Sequence, residues 1–250
     1  KLVASLGFDG IDINMGCPEK NAVKSGSCAG LFHTPDLARD LILACKDGAK
    51  KYAQENNTVE IPVSIKIRIG DTKVDWQNWV SKLLAAQPAA IAIHLRTRKE
   101  MSKVPAHWEL MPEIVKFIRE NTAPDTCPVI LGNGDVYTLA DADKKITETK
   151  ADGIMFGRGI FGNPWLFAGA HLKTKPAPPS IEERMRVLVE HTKLYEEKFT
   201  GIKHWDIMKR HFKAYVTEFD GAADLRAKLY ETKNSHDVET VVRDFMSTRT

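Results

Sequence analysis

The stretch VSIKIRI, residues 63–69, decides the fold class of this chain because apolar and polar residues alternate strictly along it. At the two-residue period of a β-strand, its valine and isoleucines lie on one face and its serine, lysine and arginine on the other. The stretch IAIHLR, residues 91–96, follows the same pattern, with His94 and Arg96 on the polar face. Isolated buried ion pairs would explain one such strand, but not several strands in phase.

The single polar face separates two kinds of parallel sheet. Helices cover both faces of an open doubly wound sheet, so both faces of its strands should be apolar. A (β/α)8 barrel is covered by helices on the outside only, and side chains from several strand ends line its mouth. The pattern therefore predicts a barrel with polar groups gathered at the carboxyl ends of the strands.

The stretch IDINMGCP, residues 11–18, reads as a buried strand that ends in a sharp turn. Pro18 stops the strand because it lacks an N–H donor, which leaves Cys17 at the tip. A cysteine in this place is often only a small buried hydrophobe. Asp12 and Asn14 favour a functional role, because polar side chains on one face of a buried strand need partners.

Strands and helices alternate along the first 150 residues, which predicts right-handed βαβ crossovers and a parallel sheet. Thr34 is a plausible N-cap ahead of Pro35 in the first of the helices. The predicted helices span residues 35–55, 74–86, 109–121 and 138–149. The predicted strands span residues 8–16, 61–69, 90–96, 128–132 and 153–156.

Two glycine-rich turns follow the last two strands, LGNGD at residues 131–135 and FGRG at residues 156–159. Asn-Gly-Asp alone is an ordinary turn, but the loops after the last two strands of a barrel are its usual phosphate site. Arg158 would add a fork of donors for a phosphate. The five strands are therefore expected to be strands 4–8 of a TIM (β/α)8 barrel, with the chain beginning mid-barrel at the end of a helix.

The character of the chain changes after the barrel segment. Residues 173–180, KTKPAPPS, form a proline-rich linker, and residues 181–250 read as an all-helical domain that opens with a capping box of Ser180 and Glu183. Residues 1–172 are then the partial barrel. The stretch KHWDIMKRHFK, residues 203–213, is either a solvated helix face or a face that contacts phosphates.

Composition limits the function classes. The 250 residues are 43% hydrophobic and carry a net charge of +3, which permits a nucleic-acid partner without requiring one. The four cysteines have no disulfide-framework spacing, and we see neither a signal segment nor an apolar run long enough to span a membrane. We therefore expect a soluble, cytoplasmic protein, and we expect it to be a monomer without a metal site.

Taken in order, the motifs DINMGCP, SIKIR, IHLRTR, GNGD and GRGIFGNPW resemble those of the tRNA-dihydrouridine synthase family, over about residues 5–235. The resemblance implies a TIM barrel that carries FMN and a helical domain, with tRNA held between them. It also implies that NADPH or NADH reduces the flavin, which then reduces the C5–C6 double bond of a uridine. The loop departs from the usual glutamine, aromatic and glycine of the family at Glu100, Ser102 and Val104, which bears on the choice of uridine.

The resemblance also implies roles for individual residues. Cys17 matches the catalytic proton donor, and cysteine is a residue type that can serve as a general acid. The implied substrate contacts are Asn14, at the uracil, and Arg96, at the barrel mouth. The implied cofactor contacts are Lys66, His94, Asn133, Gly134, Asp135, Gly157 and Arg158. The basic stretch in the helical domain offers RNA contacts at Lys209, Arg210 and Lys213.

Two other functions remain open at this point. An FMN-dependent TIM-barrel oxidoreductase acting on a small molecule would share the barrel motifs, but it would not need the helical domain. A catalytically inactive tRNA-binding module would keep the helical domain, but it would not need intact Cys17, Lys66 and His94.

Overall fold

The computed structural model describes residues 1–161, 163–168 and 179–249, which divide into two compact units, Lys1–Gly157 and Arg158–Thr250. Residues 158–168 thus group with the helical unit, although the sequence places the domain boundary after residue 172. The predicted linker, residues 173–180, lies outside the described residues except for its last two positions.

The first unit contains a five-stranded parallel sheet in which every strand neighbours the next one along the chain. The strand order is β1-β2-β3-β4-β5, and all four pairings are parallel. The five predicted strands are confirmed, with ends that differ by a few residues. The strands are β1 Ile11–Asn14, β2 Val63–Arg68, β3 Ala90–His94, β4 Val129–Asn133 and β5 Gly153–Met155.

The four predicted helices of this unit are confirmed as α3 Pro35–Asn56, α4 Trp76–Leu84, α5 Met111–Glu120 and α6 Leu139–Thr149. Pro35 begins α3 and Thr34 is its N-cap residue, as expected, although the side chain of Thr34 makes no capping hydrogen bond. The sequence did not predict α2 or two 3-10 helices. The remaining elements are α1 Leu2–Ser5, α2 Lys20–Lys24 and the 3-10 helices Cys28–His33 and Trp108–Leu110.

The sequential strand order confirms the one-sided cover that the alternating pattern predicts. A doubly wound sheet reverses its order at a switch point, whereas successive right-handed crossovers in one direction keep the helices on one face. That face holds the main core, in which strand isoleucines pack with helix residues such as Trp79, Leu83, Ile114 and Ile118. The opposite face carries Ser64 and Lys66, both only half-buried. The sheet is therefore a segment of a barrel wall.

Trp108 packs tightly against the glycine-rich turn that follows β4. Its indole Nε1 donates a 2.8 Å hydrogen bond to the carbonyl oxygen of Gly134. A Cβ added to Gly132 would lie 2.6 Å from Cη2 of Trp108. Gly134 has φ +129°, and a Cβ there would lie 2.7 Å from Cβ of Ala106. Packing therefore requires both glycines, independently of any phosphate.

The described part of the second unit is helical and contains no strand. Its own core is built around Met185, Leu188, Phe212 and Leu229. The predicted cap at Ser180 is confirmed, since its hydroxyl accepts a 3.1 Å hydrogen bond from the N–H of Glu183. The elements are a 3-10 helix Arg158–Ile160, α7 Ile181–Phe199, α8 Asp206–Lys209, α9 Phe212–Tyr215, α10 Ala222–Tyr230 and α11 Ser235–Ser247.

The basic stretch at residues 203–213 is not one continuous helix face, because α8 ends at Lys209 and α9 begins at Phe212. Throughout the described ranges, every helix is too short or too polar to cross a membrane.

We predict that Gly132→Ala destabilises the first unit by ~1–3 kcal/mol, because the new methyl group must displace the indole of Trp108. Urea unfolding followed by Trp fluorescence measures the loss. Gly157→Ala is the matched control, since an added Cβ there meets no atom within 4 Å. Equal losses in the two variants would mean that the indole contact is not the cause.

Candidate active site

The parallel register brings predicted site residues of four strands to one edge of the sheet, in two neighbouring rows. Asn14 of β1 pairs with Lys66 of β2. His94 of β3 pairs on one side with Arg68 of β2 and on the other with Asn133 of β4. Because these positions are near the carboxyl ends of parallel strands, their side chains gather at the edge where a barrel keeps its reacting groups.

The turn that carries Cys17 is fixed by Asn14. The side-chain oxygen of Asn14 accepts hydrogen bonds from the N–H groups of Gly16 and Cys17, each 3.0 Å long. Cys17 itself is half-buried and its thiol is free of any disulfide. Asn14 therefore shapes the turn, a role that the sequence did not indicate.

Arg68 joins this turn to the loop after β3, and sequence reasoning did not include it in the site. The residue is only 9% exposed. Nε donates to the carbonyl oxygen of Gly16 at 2.7 Å, and Nη1 donates to those of Thr97 at 3.0 Å and Met101 at 3.4 Å. The available signal was its place in the alternating pattern of VSIKIRI, two residues after Lys66.

Arg96 is enclosed by protein, with only 3% of its surface exposed. Nε donates to the carbonyl oxygen of Val104 at 2.6 Å, and Nη1 lies 3.2 Å from Nε2 of His94. Nη2 is paired with Oδ2 of Asp135, which also accepts a 2.9 Å hydrogen bond from the N–H of Ala106. Arg96, a predicted substrate contact, is therefore bonded to His94 and Asp135, which are predicted cofactor contacts.

The electrostatics of this edge are strongly positive. Burial, with a further contribution from Arg68, lowers the pKa of Lys66 to about 8, so its ammonium is still mostly charged at neutral pH. Burial also lowers the pKa of His94 to about 3, assisted by Arg68, Lys66 and Arg96, so this imidazole is neutral. A half-buried cation beside a neutral imidazole suits an anionic or electron-rich ligand.

A family model described as "Dihydrouridine synthase (Dus)" matches the chain over residues 1–249. The chain belongs to the dihydrouridine synthase family. It is 40% identical over 245 residues to "Probable tRNA-dihydrouridine synthase 2" of Bacillus subtilis (strain 168), which covers 97% of this chain and 70% of that protein. Proteins named "Probable tRNA-dihydrouridine synthase" from Staphylococcus aureus (strain MRSA252) and Staphylococcus epidermidis (strain ATCC 12228 / FDA PCI 1200) are 36% and 37% identical, again over 97% of this chain and 69% of theirs.

Membership confirms the resemblance, the fold class and the enzyme class expected from the motifs. Dihydrouridine synthases are flavin-dependent oxidoreductases that reduce uridine in tRNA, and their fold is a TIM barrel. The five parallel strands and the helical region of this chain agree with that fold.

The loop after β3 is braced by ion pairs and hydrogen bonds between its own residues. Glu100 accepts a 2.7 Å hydrogen bond from the N–H of Thr97 and lies 3.0 Å from Nε2 of His107. That carboxylate raises the pKa of His107, and Glu109 on the other side of the ring adds to the effect. Glu100 therefore links the start of the loop, at Thr97, to its end, at His107.

Asp71 fastens the start of the same loop. Its buried carboxylate pairs with the guanidinium of Arg98, and Nε2 of His33 lies 3.4 Å from it. Its pKa is held low chiefly by the hydrogen bond from Arg98. Sequence reasoning missed Asp71 and His107, and it did not predict the contacts of Glu100, because the partners lie on other turns of the loop or on other segments.

The remaining predicted residues divide between the two units. Asn133 uses its side-chain Nδ2 to donate to the carbonyl oxygen of Met155 at 2.7 Å, linking β4 to β5. Gly157 ends the first unit and Arg158 begins the second. Among the predicted RNA contacts, Lys209 is paired with Asp206 at 3.1 Å, and the other two, Arg210 and Lys213, are exposed. In the described ranges, no cluster of three or more His, Cys, Asp or Glu side chains could hold a metal ion.

We predict that Lys66→Met stabilises the chain by ~1–3 kcal/mol at pH 7, because it removes a cation whose burial is costly. Between the folded pKa of about 8 and the ordinary value of 10.5, the unfolded state binds more protons than the folded state. The stability of the wild type therefore rises with pH across that window, and the advantage of the variant shrinks.

Urea unfolding at a series of pH values from 7 to 10 measures this difference. Lys116→Met is the matched control, because the side chain of Lys116 is 73% exposed on α5. A gain that is the same at every pH, or the same in the control, would contradict a buried Lys66 charge.

Proposed function

We propose that this chain reduces the C5–C6 double bond of a uridine in tRNA with FMN as cofactor and NADPH, or alternatively NADH, as electron donor. The supporting observation is that Asn14, Lys66 and His94 lie at one edge of the sheet, together with the Cys17 turn, in a chain of the dihydrouridine synthase family. We further propose that residues 1–172 form the FMN-binding catalytic domain and residues 181–250 the tRNA-binding domain.

The residues at the strand edge fit a flavin. When bound, FMN supplies the hydride that reduces the double bond. The half-buried ammonium of Lys66 and the neutral ring of His94 would hold the isoalloxazine, and the ammonium would offset negative charge on it. The glycine-rich turns would hold the phosphate and ribitol through Asn133, Gly134, Asp135, Gly157 and Arg158.

Cys17 is the proposed general acid. Its thiol would donate the proton from Sγ to C5 of the base, and the thiolate would be reprotonated from solvent. Asn14 and Arg68 hold the backbone that leads into Cys17, through the N–H and carbonyl oxygen of Gly16 and the N–H of Cys17 itself. These contacts fix the backbone from which the thiol projects, and fixed placement of the acid favours proton transfer.

The tRNA must deliver its target base out of the stack, as with other enzymes that act on nucleobases. In the helical unit, Lys209, Arg210 and Lys213 would contact the phosphate backbone and so position the RNA without reading its sequence. The monomeric state and the cytoplasmic location expected from the sequence stay predictions. Gel filtration with light scattering and cell fractionation would test them.

The visible absorption of the FMN-loaded chain tests the function. We expect the flavin bands to bleach with NADPH and to recover when unmodified tRNA is added. Bands that bleach but ignore tRNA would favour an oxidoreductase acting on a small molecule. A folded chain that takes up no FMN but still binds tRNA would mean a binding module without catalysis.

We predict that Cys17→Ala lowers dihydrouridine formation by at least about 100-fold while FMN stays bound, because only the general acid is removed. Mass spectrometry of tRNA nucleosides measures the product, and the flavin spectrum measures the cofactor. Cys127→Ala is the control, since Cys127 lies before β4, away from the carboxyl edge of the sheet. Undiminished turnover in Cys17→Ala would remove this thiol from the role.

We predict that replacing Lys209, Arg210 and Lys213 together by glutamine weakens tRNA binding and flattens its dependence on salt. The log–log slope should fall by about one for each phosphate that the variant no longer neutralises. Filter binding over a salt series measures both the affinity and the slope. The control replaces three exposed cations of the same unit, Lys193, Lys198 and Arg243. Equal effects in the two triple variants would mean that residues 203–213 form a solvated surface with no specific role in tRNA binding.

A further inference from the structure

The contact between Arg96 and His94 determines which ring nitrogen of His94 carries a proton. A guanidinium has five donors and no acceptor. At 3.2 Å from Nη1 of Arg96, Nε2 of His94 must therefore be the acceptor. In a neutral imidazole, an unprotonated Nε2 places the single proton on Nδ1.

Arg96 has little freedom to make this contact in any other way. Its side chain is almost wholly buried, and its other two nitrogens are bound to the carbonyl oxygen of Val104 and to Asp135. Asp135 is in turn held by the N–H of Ala106. Each of the three guanidinium nitrogens thus has a partner, and the partner of Nη1 is the ring of His94.

We propose that Arg96 is a positioning residue, held by Asp135, that fixes neutral His94 as the tautomer protonated on Nδ1. The low pKa of His94, due to burial and to the cations of Lys66, Arg68 and Arg96 around it, keeps this ring neutral through the physiological range. Arg96 then acts on the reaction through His94, and it does not contact the uridine.

The tautomer leaves one donor for a ligand. The Nε2 and Cδ2 edge of the ring faces the glycine-rich turn, where a Cβ on Gly134 would lie 3.4 Å from Cδ2 and 3.7 Å from Nε2. Nδ1 lies on the other edge, and it makes no hydrogen bond within the described part of the chain. Resting on the proposed function, this inference makes Nδ1–H of His94 a donor to an acceptor atom of the isoalloxazine.

Nitrogen NMR of the 250-residue chain tests the tautomer before any FMN is added. With 15N-labelled histidine, long-range proton–nitrogen spectra distinguish a protonated from an unprotonated ring nitrogen, and His94→Gln identifies the signals. We expect Nδ1 protonated and Nε2 unprotonated, unchanged from pH 5 to pH 8. A protonated Nε2 in the wild type would overturn the proposal, whatever the chain does with FMN.

Variants of Arg96 and of its partner Asp135 test the positioning role of Arg96. Arg96→Lys keeps the charge but cannot bind Val104, His94 and Asp135 at once, so the ratio of the two tautomers should shift toward Nε2–H by about tenfold, the equivalent of one hydrogen bond. Asp135→Asn removes the anchoring charge and should give a smaller shift, which keeps the test available if the first variant fails to fold. An unchanged ratio in both variants would overturn the role of Arg96.

Arg98→Lys is the matched control, because Arg98 belongs to the same loop but is paired with Asp71 and not with His94. Its tautomer ratio should equal that of the wild type. FMN titration by flavin fluorescence then separates the two proposals. A tautomer shift in Arg96→Lys with about tenfold weaker FMN binding supports the donor role of Nδ1–H, and unchanged FMN binding overturns that role. A wild type with the expected tautomer but no FMN binding leaves the tautomer standing and defeats the proposed function.

Discussion

Two buried guanidinium groups hold the candidate active site together. Burying a charge costs several kcal/mol unless hydrogen bonds satisfy it, so a buried arginine dictates where nearby acceptors must lie. Arg68 and Arg96 obtain those acceptors from backbone carbonyl groups of the loops at the strand edge. The Cys17 turn and the loop after β3 therefore have fixed shapes, because each supplies carbonyl oxygens to a buried guanidinium group that needs these hydrogen bonds.

The same burial sets the chemistry of the neighbours. Burial, with the neighbouring cations, leaves His94 neutral and lowers the pKa of Lys66 to about 8. Such an arrangement lowers stability, and proteins keep it where function requires a cation in a place of low dielectric. An electron-rich cofactor bound beside Lys66 would offset this cost.

Regular alternation explains how much of this was predictable. A period of two residues on neighbouring parallel strands is enough to place Asn14, Lys66 and His94 at one edge, and the strands and longer helices followed from the same patterns. The short α2 helix could not be predicted in this way, because its five residues carry little periodic signal. Its N-cap is Glu19, whose side chain accepts a hydrogen bond from the N–H of Ala22. The bonds of Arg68 and Asp135 were equally unpredictable, because they join segments that are distant in sequence and close only after folding.

The contacts of Arg96 also explain why the loop after β3 and the ring of His94 cannot vary independently. One guanidinium contacts Nε2 of His94 and the carbonyl oxygen of Val104 in that loop. A change of loop shape that moved residue 104 would pull this group away from the ring or force the loop to find another donor. The Glu100–His107 pair braces the loop against such a movement. The shape of the loop is therefore constrained by the same buried guanidinium that contacts His94.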